Sequence, residues 1–327
     1  MRVCIVGGTG NISTSVTRQL LELGHEVTCY NRGQRGAAPE GARSMLGDRQ
    51  DRPTFERAMR AEGFDAAIDM ICYNRDDACS DIRAFAGVSH FVQISTVCTY
   101  GVEYDWLPVT EDHPLRPSTE YGRNKVAADR AFLAAYHGDG FPVTVVKPST
   151  TYGPQMGLLR QIAWDFSWLD RVRTGRPILI CDGGHAPHQF LHVDDAALGI
   201  CHILGRECCL GQTYNLVRQG FTTWEAHHRT AMQVLGQQVE LVGVCGADLE
   251  PLGVPRFEIC RDIFSHNCYY SNAKVRRDVP EFVPQVSLAE GMGRVYEEMM
   301  RQDKVPASEP GGWEDQIIER VRQLRRG

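Results

Sequence analysis

The chain has 327 residues, of which 43% are hydrophobic and 23% are charged, a balance typical of globular proteins with a large core. Its net charge is -6 and no long basic run occurs, so the composition provides no positive surface for nucleic acid. The first residues lack the basic start of a secretory signal, and no stretch approaches 18 consecutive apolar residues. These features predict a cytoplasmic protein that neither spans a membrane nor binds nucleic acid.

The chain contains 12 cysteines but no Cys-x-x-Cys pair. Cys201, His202, Cys208 and Cys209 are close in sequence, but their spacing fits no zinc template. We therefore expect reduced thiols and no metal site.

The N-terminus has the order of a dinucleotide-binding turn. A β-branched run at residues 2–6 stops at Gly7, and residues 12–23 have helical periodicity. Gly10 allows the backbone to approach a pyrophosphate at the helix N-terminus, and Ser13 stands where a third glycine is usual. The cofactor-binding residues predicted on this turn are Gly7, Thr9, Gly10, Asn11 and Ile12.

The next two strands indicate which cofactor is bound. The second strand, residues 26–33, ends at Asn31 and Arg32 where an NAD-preferring protein carries an acidic residue. Arg32 is suited to a 2'-phosphate, which favours NADP, or it covers the adenine face, which leaves NAD open. A third strand within residues 41–51 ends at Asp48 and Arg49, which we expect to flank the adenine.

Strands and helices continue to alternate along the chain. The further elements predicted are strands at 64–73, 90–101 and 141–154 and helices at 53–61, 76–87 and 119–136. Six strands that alternate with helices predict an α/β fold, a doubly wound parallel sheet of the Rossmann type. We assign residues 1–155 to this dinucleotide-binding domain, with room for further strands from the C-terminal part, and residues 156–327 mainly to a smaller substrate-binding lobe. Residues 156–174 are predicted to be helical.

Tyr121 and Lys125 are four positions apart on the predicted helix 119–136, which places them on one face. A fixed ammonium stabilises a phenolate, so we expect the pKa of Tyr121 to fall and the phenolate to act as a base. Taken alone, the pair is equally a surface tyrosine beside a solvated lysine.

Several motifs together resemble a known family. GGTGNIS, ISTVCTYG, YGRNK, TTYGP, HQFLHVDDAA and TYNL occur in the order found in the extended short-chain dehydrogenase/reductase superfamily. The best match is the NAD-dependent epimerase/dehydratase family of nucleotide-sugar enzymes. The segments VTCYNRG, GDRQD and FDAAIDMICY are similar to its branch of chloroplast stem-loop-binding proteins and related bacterial sugar enzymes.

The resemblance implies a catalytic trio and an NAD(P) cofactor. Tyr121 would remove a proton from a substrate hydroxyl while hydride passes to the nicotinamide. Lys125 would hold the nicotinamide ribose, and Thr96 would hydrogen-bond the same substrate oxygen.

Two departures from the family pattern concern the second acid/base group. Val97 and Cys98 occupy the positions of the Asp-Glu pair of the family's dehydratases. In the related GDP-mannose 3,5-epimerases a cysteine in the matching position exchanges a carbon-bound proton, which makes Cys98 a catalytic candidate. It is equally a small buried residue.

The substrate positions depart as well. Thr150 replaces the family's asparagine, and His188 replaces an arginine that usually meets the substrate's phosphates. Arg160, Arg256 and Arg261 are possible replacements. A nucleotide-linked sugar, a nucleoside or another small polyol would fit as the substrate.

The sequence thus favours an NAD(P)-dependent epimerase that acts through a transient ketone and holds its cofactor tightly. The alternatives are an NADPH-dependent ketoreductase, a sugar-nucleotide dehydratase, or a non-catalytic RNA-binding or regulatory relative. Relatives commonly dimerise through the two helices at 76–87 and 119–136, so we expect a homodimer.

Overall fold

The computed structural model describes residues 1–326, and the chain divides into two compact units. The first unit comprises residues 1–151, 191–219 and 270–285; the second comprises residues 152–190, 220–269 and those from 286 onward. The chain therefore returns twice to the first unit after leaving it at residue 151. The roles of the two units in binding cofactor and substrate stay predictions.

The structure contains strands β1 Arg2–Val6, β2 Glu26–Asn31, β3 Arg43–Leu46, β4 Ala66–Asp69, β5 His90–Ile94, β6 Val143–Pro148, β7 Thr150–Tyr152, β8 Ile178–Cys181, β9 Pro187–His188, β10 Phe190–His192, β11 Thr213–Leu216, β12 Thr222–Thr223 and β13 Leu241–Val244. Its α-helices are α1 Asn11–Glu22, α2 Arg52–Glu62, α3 Arg75–Ala84, α4 Glu120–Asp139, α5 Ser167–Arg173, α6 Val193–Ile203, α7 Trp224–Val234, α8 Gly246–Leu249, α9 Ala273–Asp278, α10 Leu288–Arg301 and α11 Trp313–Leu324. Short 3-10 turns lie at Val97–Tyr100, Asp182–Gly184 and Glu207–Cys209, and a π-helical turn lies at Cys260–Phe264. Among the helices of residues 1–326, none combines the length and apolar character needed to cross a bilayer.

A seven-stranded parallel sheet forms the centre of the first unit, in the order β11-β6-β5-β4-β1-β2-β3. This arrangement confirms the predicted α/β doubly wound fold. The chain proceeds outward from β1 in one direction through β2 and β3 and in the other through β4, β5 and β6. Ligands of such sheets bind beyond the carboxyl ends of the strands, at the point where the direction reverses.

Both faces of the central strands of this sheet are buried, and successive side chains along each strand point to opposite faces. On β1, Val3 and Ile5 belong to one apolar cluster while Cys4 and Val6 belong to the cluster on the opposite face. The buried strands are therefore continuous apolar runs in the sequence, and their carboxyl ends are held in place by packing on both faces.

Helix α4 begins at a side-chain cap. Thr119 Oγ1 accepts a hydrogen bond from the Gly122 backbone N–H at 3.0 Å, and Gly140 ends the helix in a left-handed conformation (φ 72°). The helix is one turn longer than predicted because Gly138 is accommodated inside it. Helices α3 and α4 pack together within the chain; dimerisation through them stays a prediction.

The helix predicted over 156–174 is wrong in its first half, since only residues 167–173 are helical. Gly157 has a φ of 88°, which interrupts helical geometry. The freed carbonyls find side-chain donors instead: Leu158 O accepts from Trp168 Nε1 at 3.1 Å, and Leu159 O accepts from His227 Nε2 at 2.9 Å. Apolar periodicity in this segment reflects burial in the core of the second unit.

Burial lowers the pKa of four buried histidines: His90, His188, His227 and His228. The hydrogen bonds of His90 define its tautomer. Its Nδ1 accepts from the Gly205 backbone N–H at 2.9 Å, so its Nε2–H donates to Thr144 Oγ1 at 2.8 Å. A proton on Nδ1 would face another donor, and burial lowers the pKa of His90 to about 4.

We expect acid to destabilise the fold through these histidines. A depressed folded-state pKa means that the unfolded chain takes up protons first, so stability is lost as the pH falls below about 6.5. For His90 alone the free energy of unfolding should fall by about 2 kcal/mol between pH 7 and pH 5. Urea unfolding of the wild type and His90→Gln at both pH values measures this contribution, because the other titrating groups cancel in the difference. An equal loss in both proteins would contradict the assignment.

Candidate active site

The turn after β1 provides a cradle for a pyrophosphate. Gly7 has a φ of 84°, and a Cβ on Gly8 would lie 2.5 Å from Cys29 Sγ. Gly10 caps α1, and its backbone N–H donates to Ser13 Oγ at 2.7 Å, which explains why serine replaces the third glycine. Neither polar atom of the Asn11 side-chain amide has a hydrogen-bond partner within the described chain, although both are buried. These features fit the phosphates of a dinucleotide at the helix N-terminus.

A groove of about 270 Å³ continues from this turn. Its lining includes Gly7, Thr9, Gly10, Asn31, Arg32, Arg35, Asp48, Arg49 and Tyr73. Ile12 differs from its predicted neighbours, because its half-buried side chain packs on the apolar core. The structure thus brings the predicted cofactor residues of the β1 turn and of the ends of β2 and β3 together along one groove, which Lys125 does not line.

The residues at the ends of β2 and β3 differ in how their side chains are used. Asn31 Oδ1 accepts from the Gly33 N–H at 2.9 Å and shapes the turn, which leaves the exposed Arg32 beside the groove. Asp48 Oδ1 accepts from the Gln50 N–H at 2.9 Å. Arg32 and Arg35 are therefore both exposed cations beside the groove.

Arg49 lines the groove, but its charge is committed within the chain. The buried guanidinium donates to Asp69 at 2.5 Å and to Asp81 at 3.1 Å. The predicted contact between Arg49 and adenine stays a prediction. The two ion pairs do not favour it, because they already engage the guanidinium. The partners lie 20 and 32 residues away, so no local pattern reveals them.

Thr96, Tyr121 and Lys125 converge at the carboxyl end of the sheet. Thr96 follows β5 and caps the turn 97–100, where its Oγ1 accepts from the Cys98 N–H at 3.2 Å. A side-chain hydrogen bond joins Thr96 to Tyr121. The ammonium of Lys125 lies 5.9 Å from the Tyr121 ring centroid. The trio implied by the family resemblance is therefore assembled, while its catalytic role stays a prediction.

Lys125 is almost completely buried, and two backbone carbonyls hold its ammonium. Its Nζ donates to Cys72 O, after β4, and to Ile94 O, at the end of β5, both at 2.7 Å. Burial lowers the pKa of Lys125, whereas nearby negative groups, including Asp129, raise it.

The pKa of Tyr121 is raised by its surroundings in the chain, in contrast to the expected decrease. Burial of the hydroxyl end is the largest cause, although the side chain as a whole is 44% exposed, and nearby Cys98, Tyr73 and Asp129 add to it. The hydrogen bond from Thr96 lowers the pKa of Tyr121, but by less than burial raises it. The phenol of Tyr121 is therefore protonated at neutral pH in the chain alone, while its part in proton transfer stays a prediction.

Cys98 lies at the same turn and contacts Thr96. Burial raises the pKa of its thiol, which outweighs the lowering by hydrogen bonds from Thr96 and the backbone. A protonated thiol is a weak base, so the surroundings do not favour carbon-proton exchange by Cys98. Its catalytic role stays a prediction.

The candidate substrate residues are largely neutralised within the chain. Arg160 is fully buried and pairs with Glu314, with N–O distances of 2.8 and 2.5 Å. Arg261 is paired with Glu250 and Asp262, both at 2.8 Å. Arg256 donates to Trp164 O at 3.4 Å.

The two remaining substrate candidates are uncharged. His188 is buried with its ring centroid 4.9 Å from that of Trp224 and 5.2 Å from that of Phe264, and burial lowers its pKa to about 3. Thr150 is half-buried on β7. Substrate binding by these residues stays a prediction. Neither His188 nor Thr150 provides a positive charge for a phosphate, whereas Arg256 is exposed and donates to a backbone carbonyl.

Three residues near the trio escaped sequence reasoning: Tyr73, Ser95 and Asp129. The ring of Tyr73 lies 5.2 Å from Lys125 Nζ and lines the cofactor groove. Asp129 is buried and follows Lys125 by four residues on α4. The helical spacing that places Tyr121 and Lys125 on one face therefore places Asp129 there as well. Ser95 gives no signal except its place beside Thr96.

Comparison with known proteins agrees with this geometry. Residues 77–216 match the model of the NAD dependent epimerase/dehydratase family. A 2'-dehydrokanamycin reductase of Streptomyces kanamyceticus is 31% identical over 245 residues, which cover 75% of this chain and 69% of the reductase. The chain belongs to the NAD-dependent epimerase/dehydratase family.

Two further proteins are similar to this chain, one in sequence and one in fold. The chloroplast stem-loop binding protein of 41 kDa b of Arabidopsis thaliana is 24% identical over 238 residues, which cover 68% of this chain and 60% of the plant protein. The structure of a UDP-glucose 4-epimerase of Thermotoga maritima with UDP-glucose has a TM-score of 0.75 at 18% identity and covers 92% of this chain and 99% of the epimerase chain. The second similarity concerns the fold alone.

The cradle predicts that Gly8→Ala weakens dinucleotide binding. A Cβ at this position would overlap Cys29 and displace the turn, so we expect the Kd for NADPH, followed by its fluorescence, to rise at least about tenfold, since 1.4 kcal/mol of lost contact is enough. Gly138→Ala is the matched control because nothing lies within 4 Å of its added Cβ. Equal affinities for the two variants would contradict the cradle.

Proposed function

We propose that the chain is an NADPH-dependent ketoreductase that converts a ketone on a sugar ring into a hydroxyl. The observation that carries the proposal is the convergence of Thr96 and Lys125 on Tyr121, whose phenol keeps its proton at neutral pH. Reduction requires this protonated form, whereas oxidation requires the phenolate.

The chain's residues have distinct parts in this reaction. Tyr121 donates its proton to the carbonyl oxygen as negative charge develops there. Thr96 hydrogen-bonds the same oxygen and then the phenolate that remains, which the ammonium of Lys125 also stabilises. The reduced nicotinamide, when bound, supplies the hydride for the carbonyl carbon. One ketone, one hydride and one proton give one alcohol.

The neighbouring turn supports simple reduction over dehydration. Val97 and Cys98 provide no carboxylate, and the raised pKa of the Cys98 thiol keeps it protonated. Elimination of water requires a second acid/base group beside Tyr121, for which this turn offers no good candidate.

The paired charges support a substrate without a diphosphate. Arg160 and Arg261 already face carboxylates, and His188 is neutral. Arg256 is exposed and donates to a backbone carbonyl, so it is the one candidate that could still meet a phosphate. The relative from Streptomyces kanamyceticus is named for the reduction of 2'-dehydrokanamycin. We therefore infer a sugar ketone of an uncharged or cationic glycoside as the substrate class.

Epimerisation through a transient ketone, which the sequence favours, is the second candidate. The trio supports it because oxidation and reduction at the same carbon need only one proton donor and acceptor. The two reactions differ in their cofactor balance. A reductase consumes one NADPH for each product formed, whereas an epimerase purifies with cofactor and needs none added.

Tyr121→Phe should lower kcat for NADPH-dependent reduction by about 10²- to 10⁴-fold, since it removes the proton donor. The ring remains, so the Kd for NADPH should change little. Absorbance at 340 nm measures turnover with a panel of oxidised glycosides. Turnover by the variant equal to that of the wild type would contradict the proposed role.

Arg32→Ala should weaken NADPH binding by about 10- to 100-fold, because a charge-assisted hydrogen bond contributes about 1.5–3 kcal/mol. Binding of NADH should be unchanged, since NADH lacks the 2'-phosphate. Arg130→Ala, which removes an exposed arginine from α4, is the matched control for net charge. An equal loss for both nucleotides would contradict a 2'-phosphate contact.

A further inference from the structure

A buried carboxylate lies behind the catalytic trio. Asp129 is 2% exposed and follows Lys125 by one turn of α4 and Tyr121 by two. Its Oδ2 accepts a hydrogen bond from Ser95 Oγ at 2.6 Å. Because Ser95 immediately precedes Thr96, this bond joins the helix of Tyr121 directly to the turn of Thr96.

A buried cation completes the arrangement. Lys147 Nζ, from β6, lies 3.9 Å from Asp129 Oδ2 and 4.5 Å from the ring centroid of Tyr100. Tyr100 ends the turn that Thr96 begins, and its hydroxyl donates to Asn215 Oδ1 at 2.8 Å. Asp129 and Lys147 therefore contact both ends of the same short turn.

Thr96 needs such support because its own contacts are local. Its Oγ1 caps the turn through the Cys98 N–H, and the hydroxyl meets Tyr121. A shift of the turn by 1 Å would break the hydrogen bond to Tyr121, and misplacement of this size costs about 100-fold in rate. Lys125 restrains Ile94, two residues before Thr96, by its hydrogen bond to the Ile94 carbonyl.

We propose that Asp129 is a positioning residue, which holds Thr96 against Tyr121 through the hydroxyl of Ser95. The inference rests on the proposed function, since it assigns Asp129 to the same proton transfer. Burial raises the pKa of Asp129, and the charge of Lys147, 3.9 Å away, acts against this increase.

The chain contains a matched arrangement away from the trio. Ser80 is buried on α3 and donates to Glu56 Oε1 of α2 at 2.9 Å, and Arg83 pairs with the same carboxylate at 2.6 Å. Ser80→Ala therefore removes a comparable serine–carboxylate bond and reports the structural cost alone.

Kinetics of NADPH-dependent reduction test the proposal. Ser95→Ala should lower kcat by about 10- to 100-fold with KM and the NADPH Kd nearly unchanged, since the loss is one of geometry. Ser80→Ala should lower Tm by a similar amount and leave kcat unchanged. The double variant Ser95→Ala/Asp129→Ala should lose less than the product of the single losses, because each change breaks the same bond. Equal kcat for Ser95→Ala and Ser80→Ala would overturn the proposal.

A measurement without substrate separates this inference from the proposed function. The 13Cζ resonance of Tyr121 in protein labelled with 13C-tyrosine, assigned by its loss in Tyr121→Phe, reports the hydrogen bond from Thr96. We expect the resonance to move in Ser95→Ala and to stay in place in Ser80→Ala. If the wild type reduces no ketone, the proposed function fails, and a moved resonance still supports the positioning role. An unmoved resonance in Ser95→Ala overturns it.

Discussion

The ammonium of Lys125 connects the elements on which the candidate site depends. A buried charge is costly unless its donors are satisfied, and two carbonyls at 2.7 Å satisfy two of the three N–H groups. The Cys72 carbonyl lies three residues beyond the end of β4, and the Ile94 carbonyl belongs to the last residue of β5, the neighbouring parallel strand. One side chain of α4 thus binds two carbonyls at the carboxyl end of the sheet and places a positive charge beside Tyr121.

Local patterns in the sequence predicted much of this arrangement. The glycine turn after β1 and the shared face of Tyr121 and Lys125 depend on chain geometry over a few residues. Both could therefore be predicted from the sequence. The exposed Arg32 was readable for the same reason, because it belongs to a short turn that Asn31 shapes.

Long-range pairing explains what the sequence did not reveal. Arg160 resembles a free cation until Glu314, 154 residues later, is found against it. The pKa of Tyr121 depends on how its hydroxyl is enclosed, and residues from separate segments of the chain, such as Tyr73 and Cys98, determine this enclosure. The helix predicted at 156–174 is wrong in its first half because its apolar residues are buried in the core without being helical. Side-chain donors satisfy the backbone carbonyls there in place of helical N–H groups.

The last strand of the parallel sheet has a consequence for synthesis of the protein. β11 pairs with β6, whose residues are all buried, yet it emerges about 65 residues after β6 has been made. Until then β6 is an apolar edge strand with unpaired N–H and C=O groups, a surface that invites pairing with other chains. A fragment that stops at residue 155 keeps that edge permanently. The boundary that looks natural in the sequence is therefore a poor place to cut the protein, and expression of the first unit requires the chain through residue 285.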